Sequence, residues 1–373
     1  MKLNIRQNQN MKTNSLEDDL KRDVWCLMGL PVDAVTMADT VTHMTTAIRQ
    51  KSKVFLTTPN LNFVIACQSD DHFRNSVIQS DLVIADGMPL IWVAKLMGIP
   101  ITERVSGSNL IEQMFHQKHL ARKHRVFYFG GQDNVAQIAE QKTEQIAPSA
   151  QGVGSISPGF GSIEDMSKPA LIQAINRAQP DILIVALGAK KGQDWIMHNL
   201  DQLDVPVISH LGAVVNFVAG TIKRSPVWMQ KTGLEWMWRI KEEKALYKRY
   251  WNDGVAFLGM LARRALPCVL AGKQNCTDAL RFELNGTTLA VYGGLLQPHI
   301  PGQLGQLGHL AHVLALQNAP ALERIEFAGC TAIDARGIGL LMMLKKHAPR
   351  IKLVNVNPSL ARIFYWNGGE FLL

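Results

Sequence analysis

Short apolar runs separated by stretches with helical spacing set the pattern of this chain between residues 54 and 210. Val54–Thr58, Leu82–Ala85, Arg125–Phe129, Ile182–Ala186 and Val207–His210 read as strands, each four or five residues long and largely apolar. Leu61–Ser69, Pro89–Met97, Ser108–His119, Asn134–Ile146, Ser167–Ala178 and Gln193–Asn199 read as helices between them, with Met37–Gln50 another ahead of the first strand. Trp25–Val35 reads as a short extended segment around Pro31, and the Gly- and Ser-rich stretch Gly152–Gly161 as a loop. Apolar strands alternating with helices predict βαβ units and a parallel sheet covered on both faces. Ligands of such sheets sit at the carboxyl ends of the strands. Thr58, Asn60, Asp86, Gly87, Gly130, Gly131, Gly188 and Gly212 therefore become the first site candidates.

Two further patterns follow. From Gly220 to Trp251, Lys223, Arg224, Lys231, Arg239, Lys241, Lys244, Lys248 and Arg249 interleave with Trp228, Trp236, Trp238, Tyr247, Tyr250 and Trp251. Indole and phenol rings beside cationic groups suit a headgroup-level membrane contact. The same spacing also suits a helix that packs its rings inward and leaves its charges in water. From Arg281 the periods change again. FELNGTTLAVYGGL reads as two strands around the Asn285-Gly286 turn, followed by helix Leu304–Leu316, strand Arg324–Phe327, helix Gly337–His347, strand Lys352–Val356 and helix Ser359–Tyr365. The predicted organisation is a polar, disordered leader over 1–24, a Rossmann-like domain over 25–219, a basic and aromatic appendage over 220–261, a linker over 262–280, and a small α/β domain over 281–373.

Composition narrows the function. Of 373 residues, 47% are hydrophobic and 19% charged, with a net charge of +8. The excess is concentrated in 220–250 and 263–273, which points to a local patch for an anionic partner. No run of 18 apolar residues is present, so no transmembrane helix is expected, and the first residues lack the apolar region of a signal peptide. Five scattered Cys without CxxC spacing argue for a reducing compartment and against zinc. The pairs His116/His119 and His309/His312 read as solvated helix faces, so no metal site is expected. GxxxxGK[ST] and the three-glycine dinucleotide fingerprint are both absent. No Asp-x-Asp follows a strand either, so a transferase of this type would offset its leaving diphosphate with cationic side chains instead of a metal.

Individual residues carry alternatives. Asp86, after a buried strand and before a Gly, suits a general base whose burial raises its pKa; it equally suits a cap for the next helix. Arg104, before a helix N-terminus, suits phosphate or a local acid such as Glu103. Thr58 and Asn60 in TTPN offer a hydroxyl and an amide for a sugar or base, or form a turn with an Asn N-cap.

Taken in order, TTPN, ADGMPL, ERVSGSNL, FYFGG, PGF, PDILIVALGAKKGQDWI, LGAVVNFVAGTIKRSP and GLEWMWRIKEE resemble the WecG/TagA/CpsF family, glycosyltransferases of family 26. The resemblance implies inverting, metal-independent transfer of N-acetylmannosamine, its uronate or glucose from a UDP-sugar to an undecaprenyl-diphosphate-linked saccharide. It needs no cofactor and places the protein in the cytoplasm, peripheral on the inner face of the cell membrane, in cell-surface or exopolysaccharide biosynthesis. By motif, Asp86 resembles the base. Thr58, Asn60, Arg104, Gly130, Gly188 and Gln193 fall on the donor side. Arg224, Arg239, Lys244, Lys248 and Arg249 fall on the lipid diphosphate and leaving UDP, and Trp236, Trp238, Tyr250 and Trp251 on the membrane. Two departures stand out. Lys190, Gly192 and Gln193 occupy the Pro, Gln and Glu positions of a G-x-P-x-Q-E-x-W pattern, and whether Gln193 replaces the displaced Gln is open. Glu242-Glu243 replaces Glu-Pro, which allows a more continuous helix.

Residues 281–373 resemble a STAS domain through LNGTTLAVYGGL, IEFAGCTAIDARGIGLLMML and KLVNVNPSLARIF. Ala335 stands where signalling members are phosphorylated, directly after Asp334, so that switch is chemically closed. Asp334 reads as a helix N-cap, and the domain as a docking or regulatory module for a protein partner. The rival function is a non-catalytic nucleotide-sugar sensor that signals through this domain. A nucleic-acid partner is not expected, and oligomerisation is left open.

Overall fold

The computed structural model describes residues 14–118, 120–132, 134–244, 246–272, 274, 276–298, 300 and 322–373. Its strands are β1 (Val24–Leu27), β2 (Leu30–Asp33), β3 (Val54–Thr57), β4 (Leu82–Val83), β5 (His124–Gly130), β6 (Ala150–Ile156), β7 (Ile182–Ala186) and β8 (Val207–His210). Then follow β9 (Arg281–Asn285), β10 (Thr288–Leu295), β11 (Arg324–Glu326), β12 (Cys330–Ile333) and β13 (Lys352–Val354). Among the described residues they form a two-stranded sheet β1-β2, a six-stranded one ordered β4-β3-β8-β7-β5-β6 and a five-stranded one ordered β12-β10-β11-β13 with β9 on β10. Contacts divide the chain into two compact units, Ala38–Leu56 with Gly107–Lys223, and Asn14–Met37 with Thr57–Ser106 and Arg224–Leu373.

In the first unit, β3, β8, β7, β5 and β6 pair in parallel. Between them run α6 (Gly107–Phe115), α7 (Val135–Ile146), α8 (Pro169–Arg177), α9 (Ala189–Asn199) and α10 (Gly212–Ala219), with α2 (Met37–Gln50) ahead of β3. Phe129 stacks on Trp195 at 4.1 Å between ring centres, inside a core that includes Phe55, Phe127, Ile175, Leu183 and Ile208. One expectation is corrected here. The stretch read as a loop from Gly152 is β6 as far as Ile156. Its glycines serve close packing: a Cβ on Gly152 would collide with the Glu140 carbonyl of α7, and one on Gly154 with the Phe127 ring.

The second unit holds α3 (Leu61–Cys67), α4 (Asp71–Ile78), α5 (Met88–Leu96), α11 (Val227–Thr232), α12 (Glu235–Glu242), α13 (Leu246–Met260) and α14 (Leu266–Leu270). The part read as a disordered leader is ordered from Asn14. Ser15 and Asp18 form a reciprocal capping box on α1 (Leu16–Lys21), and the extended segment after it is the antiparallel hairpin β1–β2. Leu16, Leu20, Val24 and Cys26 enter one core with Leu289, Ile325, Phe327, Ile338 and Phe364 of the C-terminal sheet and helices. Only four apolar residues near the start contribute, too few to signal burial in a polar sequence. Residues 1–13 lie outside the described ones.

Helix α15 (Ala335–His347) locks onto this hairpin. A Cβ on Gly339 would strike the Val24 carbonyl, and Arg336 donates to the carbonyls of Val24 (3.1 Å) and Arg22 (2.8 Å). Asp334 caps α15 as expected, accepting from Arg336 N and Gly337 N at 3.0 and 2.9 Å. Helix α16 (Pro358–Asn367) closes the unit, whereas the expected helix Leu304–Leu316 falls outside the described residues. β12 and α4 were not foreseen, both being short and weakly periodic.

The expected linker is also revised. After α13 the helix continues as a π-turn over Leu261–Ala265 and then as α14. Arg264 ties it to the C-terminal residues, donating to both Glu370 carboxylate oxygens at 2.9 and 2.6 Å. The absence of Pro at 243 does not give a continuous helix, since Glu243 leaves helical geometry at φ −130°, ψ 86°.

Candidate functional site

Three loops of the second unit meet at strand ends. Asp86 N donates to the Pro59 carbonyl (2.8 Å), and Val105 N to the Ala85 carbonyl (3.1 Å), so TTPN, ADG and ERVS are stitched together by backbone bonds. Gly87 follows at φ +148°, a backbone conformation that favours glycine, and a Cβ there would lie 3.8 Å from that of Asn60. Asp86 is half-buried in this cluster, and Thr58 is 8% exposed. Just beneath, the Thr57 and Ser80 hydroxyls share a 2.6 Å hydrogen bond. Asn60 resolves toward the turn alternative: its Oδ1 accepts from Asn62 N and Phe63 N at 3.0 and 3.3 Å as the N-cap of α3. Its side-chain NH₂ is the group left for other contacts.

Arg104 pairs neither with Glu103 nor with another nearby acid. Its partner is Glu235, 131 residues on, at 2.7 Å, with side chains 10% and 23% exposed. The turn before Glu235 is shaped for this approach. Gly233, at φ +78°, lies so close to α5 that a Cβ would come within 2.9 Å of Met88. Farther along the appendage, Asn62 donates to the Asp253 carboxylate at 3.2 and 3.4 Å, and burial raises the Asp253 pKa. Thus backbone bonds join the loops of Thr58, Asn60, Asp86 and Arg104, and the appendage meets Arg104 through Glu235, inside the GLEWMWRIKEE motif, and Asn62 through Asp253, which no motif reveals.

The appendage cations are less confined. Lys244, Lys248 and Arg249 are exposed, Arg239 pairs with Glu243 at 3.8 Å, and Arg224 reaches Gln230 at 3.4 Å. Arg249 lies over the Tyr250 ring at 5.2 Å, and Trp236 sits 6.3 Å from the same ring. α12 buries none of its residues. Trp251 is 64% exposed, Trp236 is exposed, and Trp238 and Tyr250 are half-buried. The apolar surface runs on beyond the sequence-predicted segment through Leu258 (66%) to Leu270 (85%), so the stretch read as linker adds to it.

In the first unit, Gly130 and Gly188 occupy strand ends, whereas Gln193 does not. Gly130 has φ +95°, and a Cβ there would lie 2.6 Å from the Ala186 carbonyl; Gly188, at φ +82°, is exposed and begins α9. Gln193 is 1% exposed, inside α9. His210 at the end of β8, which sequence reasoning passed over, has its ring against Gly192.

The Glycosyl transferase WecG/TagA/CpsF family matches residues 25–268. Similar proteins include N-acetylglucosaminyldiphosphoundecaprenol N-acetyl-beta-D-mannosaminyltransferases of Staphylococcus aureus strains NCTC 8325 / PS 47 and COL. Each is 24% identical over 215 residues, covering 57% of this chain and 82% of the relative.

Proposed function

This chain belongs to the WecG/TagA/CpsF glycosyltransferase family, and from that premise we propose that it moves an N-acetylmannosamine-type sugar from a UDP donor to a polyprenyl-diphosphate-linked saccharide. The observation that carries the reading is the stitched cluster of Thr58, Asp86 and Arg104, against which Glu235 brings the basic appendage. Asp86 takes the proton of the acceptor hydroxyl as that oxygen attacks the anomeric carbon. The bond from that carbon to the UDP oxygen breaks with its electron pair staying on UDP, and configuration inverts. Arg104, Arg224, Arg239, Lys244, Lys248 and Arg249 offset the charge of the leaving diphosphate and of the lipid diphosphate, without a metal. Thr58 and the Asn60 amide hold the donor.

The acceptor class agrees with the names of the relatives, which act on N-acetylglucosaminyldiphosphoundecaprenol. No helix among the described residues is long and apolar enough to cross a membrane. Exposed Trp236, Trp251, Leu258 and Leu270 beside Lys248 and Arg249 support peripheral attachment to an anionic inner leaflet. The C-terminal sheet with α15 and α16 we read as STAS-like and as a docking module for a protein partner.

The test is UDP release by the full-length protein with a panel of UDP-sugars and lipid-diphosphate acceptors in liposomes. Acceptor-dependent release that falls at least about a thousandfold in Asp86→Asn, with donor binding kept, is the expected result. Near-normal release by that variant removes Asp86 from the mechanism. Donor binding without release from any sugar favours the sensor reading.

A further inference from the structure

Neighbouring strands β5, β7 and β8 of the first unit end at Gly130-Gly131, at Leu187-Gly188 and at Leu211-Gly212. α9 and α10 start there with N-caps Gly188 and Leu211, neither of which supplies a side-chain hydrogen bond. No N-cap side chain therefore competes for the first turns of these two helices. Among these groups stands one imidazole. The His210 ring occupies the space beside Gly192, where any Cβ would collide with its Cδ2. Its Nε2 lies 3.6 Å from where a Cβ on Gly212 would be, an ordinary contact distance, so it is Gly192 that admits the ring.

That nitrogen is buried, and it has no hydrogen-bond partner among the described residues. A buried polar atom left unmet is destabilising, which is why such atoms in folded proteins are met by water or a ligand. Burial also lowers the His210 pKa to about 4, so the ring is neutral at physiological pH. A neutral ring adds nothing to the binding of a diphosphate, which amides and cations serve better. It does suit an uncharged hydroxyl or amide. Gly192 is also where the GAKKGQDW segment departs from the family pattern, and Gln193 points about 100° away around α9.

We infer that His210 is a specificity-determining residue for the donor: its imidazole fills the place that Gly192 leaves vacant and hydrogen-bonds a hydroxyl or amide of the donor's sugar. This rests on the UDP-sugar reading above. It makes the choice of sugar depend on a pair of positions, 192 and 210, one on α9 and one on β8.

The experiment is calorimetric titration of the full-length protein with UDP and with each UDP-sugar of the panel, alongside thermal unfolding. His210→Phe keeps the ring's volume and removes its nitrogens. It is expected to bind UDP within about twofold of wild type and the preferred UDP-sugar about tenfold more weakly, the worth of one hydrogen bond. Gly192→Gln/His210→Gly moves the polar group to the helix and is expected to bind a UDP-sugar with an altered ranking of sugars, giving a second readout where Phe does not fold. Unchanged sugar affinities and ranking in both variants make the ring a filler and overturn the inference. Equal loss of UDP and UDP-sugar by a folded His210→Phe also overturns it, assigning the ring to the nucleotide. Wild-type protein that binds neither ligand overturns the donor reading and this inference together.

Discussion

Lys346 of α15 places its ammonium 2.9 Å from Asp19 of α1 and 3.1 Å from Asp81, which directly precedes β4. All three side chains are buried, and Lys346 also donates to the Ser80 carbonyl at 3.3 Å. The base of the strand that leads to Asp86 is therefore gripped by a helix of the C-terminal domain. Arg22 completes the cluster at 2.7 Å from both Asp19 and Asp33. Replacing one member of a buried ionic cluster leaves its partners uncompensated, typically at about 3–5 kcal/mol. Lys346→Met is expected to lower stability by that order in urea unfolding. Lys346→Met/Asp81→Asn should recover part of the loss, and a strictly additive double variant would show that the two groups are not coupled.

Acid should act through the same cluster. Burial by itself raises the Asp19 pKa, but His347, Lys346 and Arg22 outweigh it and hold the carboxyl well below the ordinary range. A carboxyl whose folded pKa is depressed stabilises above its unfolded value of about 3.9, and that contribution is lost as pH falls from there toward the folded value. Stability measured from pH 5 down to pH 3 should therefore drop, and Asp19→Asn, though less stable at neutral pH, should show a shallower acid slope. Equal slopes in the two proteins would remove Asp19 as the acid-sensitive group.

Glu235 is expected to hold the appendage in place through Arg104. Glu235→Ala leaves a largely buried guanidinium without its carboxylate. Limited trypsin digestion at Arg239 and Lys241 should then speed up several-fold, because local opening governs cleavage. Arg104→Ala/Glu235→Ala, which removes both charges, should be cut no faster than the single variant. Unchanged digestion of Glu235→Ala would show that Gly233 packing on Met88 suffices.

The exposed apolar face of α13 and α14 gives a vesicle-binding prediction. Leu258→Asp and Leu270→Asp each place a charge on that face, whereas both wild-type side chains are well exposed and touch little core. Sedimentation with anionic vesicles should fall about tenfold or more, with the melting temperature unchanged. Retained binding by the double variant would move the membrane contact to the Trp236–Trp251 segment alone.

Much of this molecule is written locally. The bounds expected for α2, β7 and β8 agree with the structure to the residue, because each is set by an apolar period and its flanking breakers. The strand-end positions of Thr58, Asp86, Gly130 and Gly188 follow from the same alternation. Asn60 and Asp334 were both legible as N-caps, since capping reaches only two or three residues along the chain.

Local pattern along the chain thus settled most of the strands and helices, though not α1, α4, β6 or β12, together with the loops that a parallel sheet gathers at its strand ends and the family whose ordered motifs lie there. Tertiary structure decided the pairings between distant segments: Arg104 with Glu235, Lys346 with Asp19 and Asp81, the ring of His210 in the space left by Gly192, and α1 in the C-terminal core. Periodicity reports which face of one element is buried. It carries nothing about which element, a hundred or three hundred residues away, supplies the atoms that bury it, and that is settled by the collective packing of the folded chain.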